Sequence, residues 1–92
     1  MKIVISQYGF FSLSPAASLL FAARKKLETC PKPEDIPRND LDLVRVVETL
    51  GPEAAGGPGA ELKVVEIPND VDWEVVEHDG LEWVAEKHRT WH

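Results

Sequence analysis

The dipeptide Asp79-Gly80 is the feature that most narrows what this chain can fold into. It separates two short runs, 71–77 and 81–86, in which apolar residues alternate with acidic ones. Such a pair between alternating runs is a strong signal for a two-residue β-hairpin, because both central residues of the favoured turn need a positive φ. A third strand is predicted over 61–67, ended by the turn Pro68-Asn69-Asp70.

A strand and a helix are predicted in the first third of the chain. Residues 2–6 form a β-branched run of the kind that pairs in a sheet, and Gly9 ends it. Ser14-Pro15 indicates a helix start, because the serine hydroxyl accepts a backbone N–H and proline fixes φ at the first helical position. The helix is expected to run to about Glu28. Its predicted apolar face consists of Ala16, Leu20, Ala23 and Leu27.

A second helix is predicted after a proline-rich connection. Three prolines within 31–38 favour a stiff, extended segment without regular structure. Asn39 or Asp40 can cap the helix that follows, and Gly51 closes it. The next residues, 51–60, are rich in glycine, proline and alanine and are typical of a flexible surface loop. The apolar face of the second helix is predicted to consist of Leu43, Val46, Val47 and Leu50.

These elements predict a mixed α+β fold in one domain, 1–92. The carboxyl-terminal strands and the amino-terminal strand are expected to form one antiparallel sheet of about four strands, with two helices packed on one face. A core of this size leaves apolar surface uncovered, including some of its three tryptophans. We therefore expect a homo-oligomer, because a second copy adds stability by mass action.

Charge and cysteine usage exclude several classes of function. The 92-residue chain carries a formal net charge of −6 at pH 7, so it repels bulk phosphate backbone. Its single cysteine, Cys30, cannot form an internal disulfide, and no stretch is apolar for long enough to span a bilayer. A cytoplasmic protein that binds neither membrane nor bulk nucleic acid is expected.

The loop between the first strand and the first helix is one candidate ligand site. Backbone donors and the positive end of the helix dipole can receive an anion there, and the rings of Tyr8, Phe10 and Phe11 can flank a base. The loop has one glycine rather than a phosphate-binding motif, so packing of Phe10 and Phe11 in the core is the competing interpretation.

The carboxyl terminus is the second candidate. Lys87, His88 and Arg89 stand next to Trp91 in an otherwise acidic half of the chain. Arginine offers a planar fork for phosphate and tryptophan a face for stacking, which suits a single nucleotide-like anion. Pairing of Lys87 and Arg89 with Glu74 or Glu77 across the hairpin is the alternative.

Arg38 is a third candidate, because a stiff segment holds it just ahead of a helix. It can reach an anion docked there, or it can form a salt bridge to Asp40 or Asp42.

Catalysis is not predicted. The histidines have no metal-ligand spacing supported by a fixed acidic partner, and no serine has a base beside it in the pattern. Cys30 lies at a helix carboxyl end, which does not favour its thiolate. Neither a metal nor a cofactor is expected.

Three blocks of the sequence resemble a family of small phage and prophage proteins. They are the opening MKIVISQYGFFSLSP, the middle DIPRNDLDLVRVVETLG and the close ELKVVEIPNDVDWEVVEHDGLEWVAEKHRTW, which together cover most of the chain. The close is the most distinctive block, since it combines I-P-x-D-V-x-W-E, the D-G hairpin and E-K-H-R-T-W.

In function, this pattern resembles the phage Thoeris anti-defence sponges, which sequester cyclic ADP-ribose-type signals and, in some members, cyclic oligonucleotides. The resemblance implies a non-catalytic, oligomeric trap in the host bacterial cytoplasm, with pockets between subunits. It carries over Arg89 and Lys87 as phosphate ligands and Arg38 as a lesser candidate.

An inhibitor of a host defence enzyme, such as an anti-CRISPR or host-takeover factor, is the alternative function. In that reading an acidic strand face of Asp72, Glu74 and Glu77 occupies a basic nucleic-acid groove on the enzyme.

Overall fold

The computed structural model describes residues 1–86, in which strands and helices confirm the α+β class. The four strands are β1 (Lys2–Tyr8), β2 (Glu61–Glu66), β3 (Trp73–His78) and β4 (Leu81–Glu86). The helices are α1 (Pro15–Lys25), α2 (Leu41–Leu50) and the short α3 (Pro52–Ala55).

The four antiparallel strands are divided between two ladders. β1 pairs with β2, and β3 pairs with β4. β4 lies beside β1, but a side chain replaces the ladder there, since the Glu82 carboxylate accepts the Ser6 N–H at 2.7 Å. The single sheet expected from the sequence is therefore interrupted between β1 and β4.

Helix α2 is confirmed nearly residue for residue. Asp40 caps it by accepting the N–H groups of Asp42 and Leu43 at 2.8 and 3.2 Å, and Gly51 ends it. These local signals suffice because the helix packs an uninterrupted apolar face on β1 and β2. The buried face consists of Leu43, Val44, Val46 and Val47, so Val44 joins three of the predicted residues, while the fourth, Leu50, is half-buried.

Helix α1 begins as predicted but ends earlier and buries a different face. Its last residue is Lys25 rather than Glu28, because Lys26 adopts a left-handed φ of 58°. The predicted face was wrong. Phe21 carries the largest apolar side chain of the helix, and the helix is turned so that this ring is buried in the core. The buried residues are Ala17, Phe21 and Ala22, while Ala16, Ala23 and Leu27 are exposed and Leu20 is half-buried.

The proline-rich connection is more regular than predicted. Pro33–Asp35 forms a 3-10 turn, closed by the Ile36 N–H donating to the Pro33 carbonyl at 3.2 Å. Proline at the first position of the turn fixes φ without losing a needed donor. The turn delivers Ile36 to the core, where 5% of it remains exposed.

The hairpin turn is confirmed, but the acidic residues in and before β3 do not share one face of the strand. Asp79 and Gly80 have φ values of 51° and 83°, as a two-residue turn requires. Side chains alternate along a strand, so Glu74 and Glu77 point to opposite faces, and Asp72 lies before β3 begins. The expected single acidic strand face is therefore wrong.

An ion cluster joins the end of α1 to the start of α2. Lys25 lies 2.8 Å from Asp40 and 3.1 Å from Asp42, and Arg24 lies 3.0 Å from Asp42. Hydrogen bonding to Lys25 lowers the pKa of Asp42, and the same carboxylates raise the pKa of Lys25.

The cluster predicts a pH-dependent effect of Asp42→Asn. Because the folded-state pKa of Asp42 is lowered, its carboxylate stabilises the fold above the unfolded pKa of about 3.9 and loses this effect as the pH falls through the folded value. Urea midpoints should therefore differ between wild type and variant at neutral pH and converge as the pH falls well below the unfolded pKa. Asp35→Asn, an exposed carboxylate outside the cluster, is the control. A difference that persists unchanged in acid would contradict the assignment.

Candidate functional site

A cleft of about 480 Å³ opens at the amino end of α1. One wall is formed by Tyr8 and the start of α1, and the other by α3 and the glycine-rich segment 56–60. This volume lies in the range typical of small-molecule sites. The lining residues are Tyr8, Ser14, Pro15, Glu53, residues 56–60 and Glu61.

Ser14 ties the two walls together. Its N–H donates to the Ala55 carbonyl at 2.9 Å, and its hydroxyl donates to the Ala54 carbonyl at 2.6 Å. The same oxygen accepts the Ala17 N–H at 3.1 Å and so caps α1, as the sequence predicted. The cap that starts one helix therefore also fixes the position of another.

Residues 51–60 are ordered by these bonds rather than forming the predicted flexible loop. Pro52 starts α3, and the buried Gly57 donates its N–H to the Ser12 carbonyl at 3.3 Å. A Cβ on Gly57 would lie 2.5 Å from the Ser12 hydroxyl oxygen. A glycine is needed at this position because the chain here lies so close to Ser12. Composition alone does not show whether a glycine allows such a close approach or makes a segment flexible.

Tyr8 stands at the mouth of the cleft because β1 ends in a bulge. The register with β2 shifts between Ser6 and Tyr8, and the Ser6 hydroxyl lies within hydrogen-bonding distance of the Tyr8 carbonyl, at 3.0 Å, and of the Gly9 carbonyl. A bulge redirects the following side chain. The Tyr8 side chain is 63% exposed, so its face is accessible to a ligand.

The charged side chains among the described lining residues are all negative. Glu53 and Glu61 face the opening, and Gln7 donates to Glu61 at 3.2 Å. Within residues 1–86, no lysine or arginine lines the cleft. Carboxylates suit hydroxyl or amino donors, so a phosphate group bound here needs cations from elsewhere. Sequence reasoning missed both glutamates, because α3 and β2 meet only in the folded chain.

Arg38 and Phe11 are brought together, although not around the cleft. The Arg38 guanidinium lies 3.6 Å from the Phe11 ring centroid and donates to both Glu82 carboxylate oxygens at 2.6 and 2.9 Å. It also donates to the Val4 carbonyl at 3.3 Å. The predicted salt bridge to Asp40 or Asp42 is wrong, since those carboxylates pair with Lys25 and Arg24.

Within residues 1–86, the other residues predicted to bind a ligand do not line the cleft. Phe10 is 73% exposed, next to the β3–β4 turn rather than among the lining residues. Lys87, His88, Arg89 and Trp91 lie outside the described residues, as does their alternative pairing with Glu74 or Glu77. Their role as ligand residues stays a prediction.

Comparison with known proteins identified no relative of this chain. No family model matches the chain, and no curated protein or solved structure is significantly similar to it. The resemblance to phage sponges therefore stays a prediction. Across residues 1–86, no helix is both long and apolar enough to cross a bilayer. In the same part of the chain, no three potential metal-ligating side chains of histidine, cysteine, aspartate or glutamate cluster.

The Arg38–Glu82 pair predicts a large stability effect. Only 6% of the Glu82 side chain is exposed, so Arg38→Met leaves a buried carboxylate without its cation and should lower the free energy of unfolding by about 3–5 kcal/mol. Adding Glu82→Leu removes both charges and should cost less than the sum of the single substitutions. Urea denaturation of all four proteins measures this coupling.

Arg24→Met is the matched control, because Arg24 pairs with Asp42 on the surface. Exposed pairs contribute about 1 kcal/mol or less. If Arg24→Met and Arg38→Met lowered the free energy of unfolding by the same amount, the buried pair would not be what holds the fold together.

Proposed function

We propose that this protein is a phage-encoded, non-catalytic sponge for a nucleotide-derived immune signal. Its ligand is a cyclic ADP-ribose-type molecule or a cyclic oligonucleotide, held in the bacterial cytoplasm and kept from its receptor. The proposal joins the resemblance of the three sequence blocks to the geometry of the cleft at the amino end of α1.

The observation that carries the proposal is the exposed Tyr8 ring beside a cleft whose far wall is backbone. A ring at the mouth offers a face on which a base can stack. Segment 56–60 has small side chains or none, so a flat ligand can approach closely.

Different groups serve the different parts of such a ligand. Glu53 and Glu61 suit ribose hydroxyls, since a carboxylate accepts hydrogen bonds from sugar donors. We assign the phosphates to Lys87 and Arg89, with His88 and Trp91 beside them. Arg38 and Phe11 are given a structural role, because Glu82 and the Val4 carbonyl already occupy the guanidinium.

The lining also supports sequestration over turnover. The Ser14 hydroxyl is engaged in capping α1 and in bonding the Ala54 carbonyl. Within residues 1–86, no side chain hydrogen-bonds to that hydroxyl, so no base is held against it to activate it.

Ligand capture should appear as thermal stabilisation. A ligand at about 100 times its Kd adds about 2.7 kcal/mol, which raises the Tm of a chain this size by roughly 10–20 °C. Cyclic ADP-ribose isomers and cyclic dinucleotides should be tested in turn. Arg89→Ala and Tyr8→Ala should lose the shift without unfolding the chain.

Tyr8→Phe keeps the ring and should retain the shift. Phe10→Ala removes an exposed aromatic outside the cleft lining and should also retain it. A full shift with Tyr8→Ala would reject the stacking site, and unchanged capture by Arg89→Ala in isothermal titration would reject the phosphate site.

Sequestration also predicts the fate of the ligand. A captured signal should be recovered intact when the complex is denatured and the supernatant is analysed by mass spectrometry. Recovery of a hydrolysed product in amounts exceeding the protein would establish turnover and contradict the proposal.

An acidic inhibitor of a host enzyme is the second candidate function. The observation favouring it is the row of exposed carboxylates along the hairpin, Asp70, Asp72, Glu74, Glu77 and Asp79. They could compete for a basic groove even though they do not share one face. Stabilisation by a host nucleic-acid-binding enzyme, with none by any nucleotide signal, would select this function over the first.

A further inference from the structure

The outer edge of β3 is an unpaired sheet edge within residues 1–86. β3 pairs with β4 on one side, and β4 in turn lies beside β1. On its other side, β3 has no strand from the described part of the chain.

The register of the hairpin shows which backbone groups point outward. A two-residue turn is closed by a hydrogen-bonded pair, here His78 and Leu81. Antiparallel ladders alternate, so Glu74 and Val76 also direct their N–H and C=O groups toward β4. The backbone groups of Trp73, Val75 and Glu77 therefore point away from the molecule.

This edge lacks three features that commonly prevent an edge strand from pairing with another chain: a lysine, a proline and a bulge. β2, the strand at the opposite end, carries an exposed Lys63. β3 has neither lysine nor proline, and its register with β4 runs without a bulge. Edges that stay single are normally protected by such features, whereas β3 is a regular strand with Val75 and Val76 at its centre.

We propose that β3 pairs antiparallel with β3 of a second copy of this chain, about a twofold axis through Val76. Side-chain alternation allows only registers that keep each face continuous. Registers centred on Glu74 or Glu77 would place two carboxylates directly opposite each other, which is unfavourable. Centring on Val76 places valine against valine and Glu74 opposite the partner's His78, so that no carboxylate faces another.

Apolar surface beside the axis supports the same register. Val76 lies directly across the hairpin from Trp83, which is 47% exposed, and Leu81 on the same face is 49% exposed. In the dimer the two Trp83 side chains flank the paired valines. This forms an apolar stripe across both copies, in which the two facing valines remove each other's edge from water.

Sedimentation of the unliganded full chain tests the proposal. Wild type should dimerise reversibly, whereas Val76→Lys places two ammonium groups opposite each other and should raise the dimer dissociation constant by about tenfold or more. Thr49→Lys makes the same charge change on the exposed side of α2 and should leave the dissociation constant unchanged. Circular dichroism checks that both variants are folded.

Disulfide trapping tests the register independently of stability. In a Cys30→Ser background, Val76→Cys should cross-link efficiently on oxidation, because facing residues of a non-hydrogen-bonded pair lie within disulfide range. Val75→Cys, on the opposite face and two positions off register with its own copy, should cross-link at least several-fold less.

A wild-type chain that remains monomeric at every concentration would overturn the proposal, and so would dimers unaffected by Val76→Lys. Preferential trapping through Val75→Cys would overturn the register. The proposal goes beyond the proposed function and does not require a ligand, so its failure would leave the thermal-shift and titration results unaltered.

Discussion

The buried ion pair between Arg38 and Glu82 is the interaction on which the arrangement of this fold depends. β1 has a partner strand on one edge only, so the Ser6 N–H and the Val4 carbonyl on its other edge need partners in a largely buried setting. Glu82 accepts the first and Arg38 donates to the second. One ion pair thus takes the place of a ladder and attaches the β3–β4 hairpin to the rest of the molecule, with Phe11 covering the guanidinium.

This attachment links the two surfaces to which we assign function. Holding β4 against β1 brings Gly80 beside Gly9, where a Cβ on Gly80 would lie 3.2 to 3.3 Å from Gly9 backbone atoms. The hairpin turn therefore packs on the loop that follows Tyr8, a residue of the cleft. Because β4 is the strand held inward, β3 is the strand left at the edge. The same attachment accordingly places the hairpin turn beside that loop and leaves exposed the backbone proposed to pair with a second copy.

Local signals predicted some of this structure and missed what depends on contacts between distant segments. Asp79-Gly80 and the Asp40-capped helix were predictable, since each is determined by a turn or cap within a few residues. The buried face of α1 was not, because apolar residues lie on more than one side of this helix and only its packing against α2 and α3 determines which side is buried. The division of the sheet depends on Glu82 reaching Ser6, 76 positions away. The cleft is equally non-local, since Ser14 must meet the segment after α2 before any wall exists.

The distribution of charge limits which groups of a ligand the cleft itself can hold. Four described cations, Lys2, Arg24, Lys25 and Arg38, are paired with carboxylates, and none lines the cleft. Glu53 and Glu61 do line it, and their carboxylates accept hydrogen bonds from donors but repel anions. A phosphate group bound in the cleft therefore needs cations from outside the described lining residues, whereas hydroxyl and amino groups find acceptors within it.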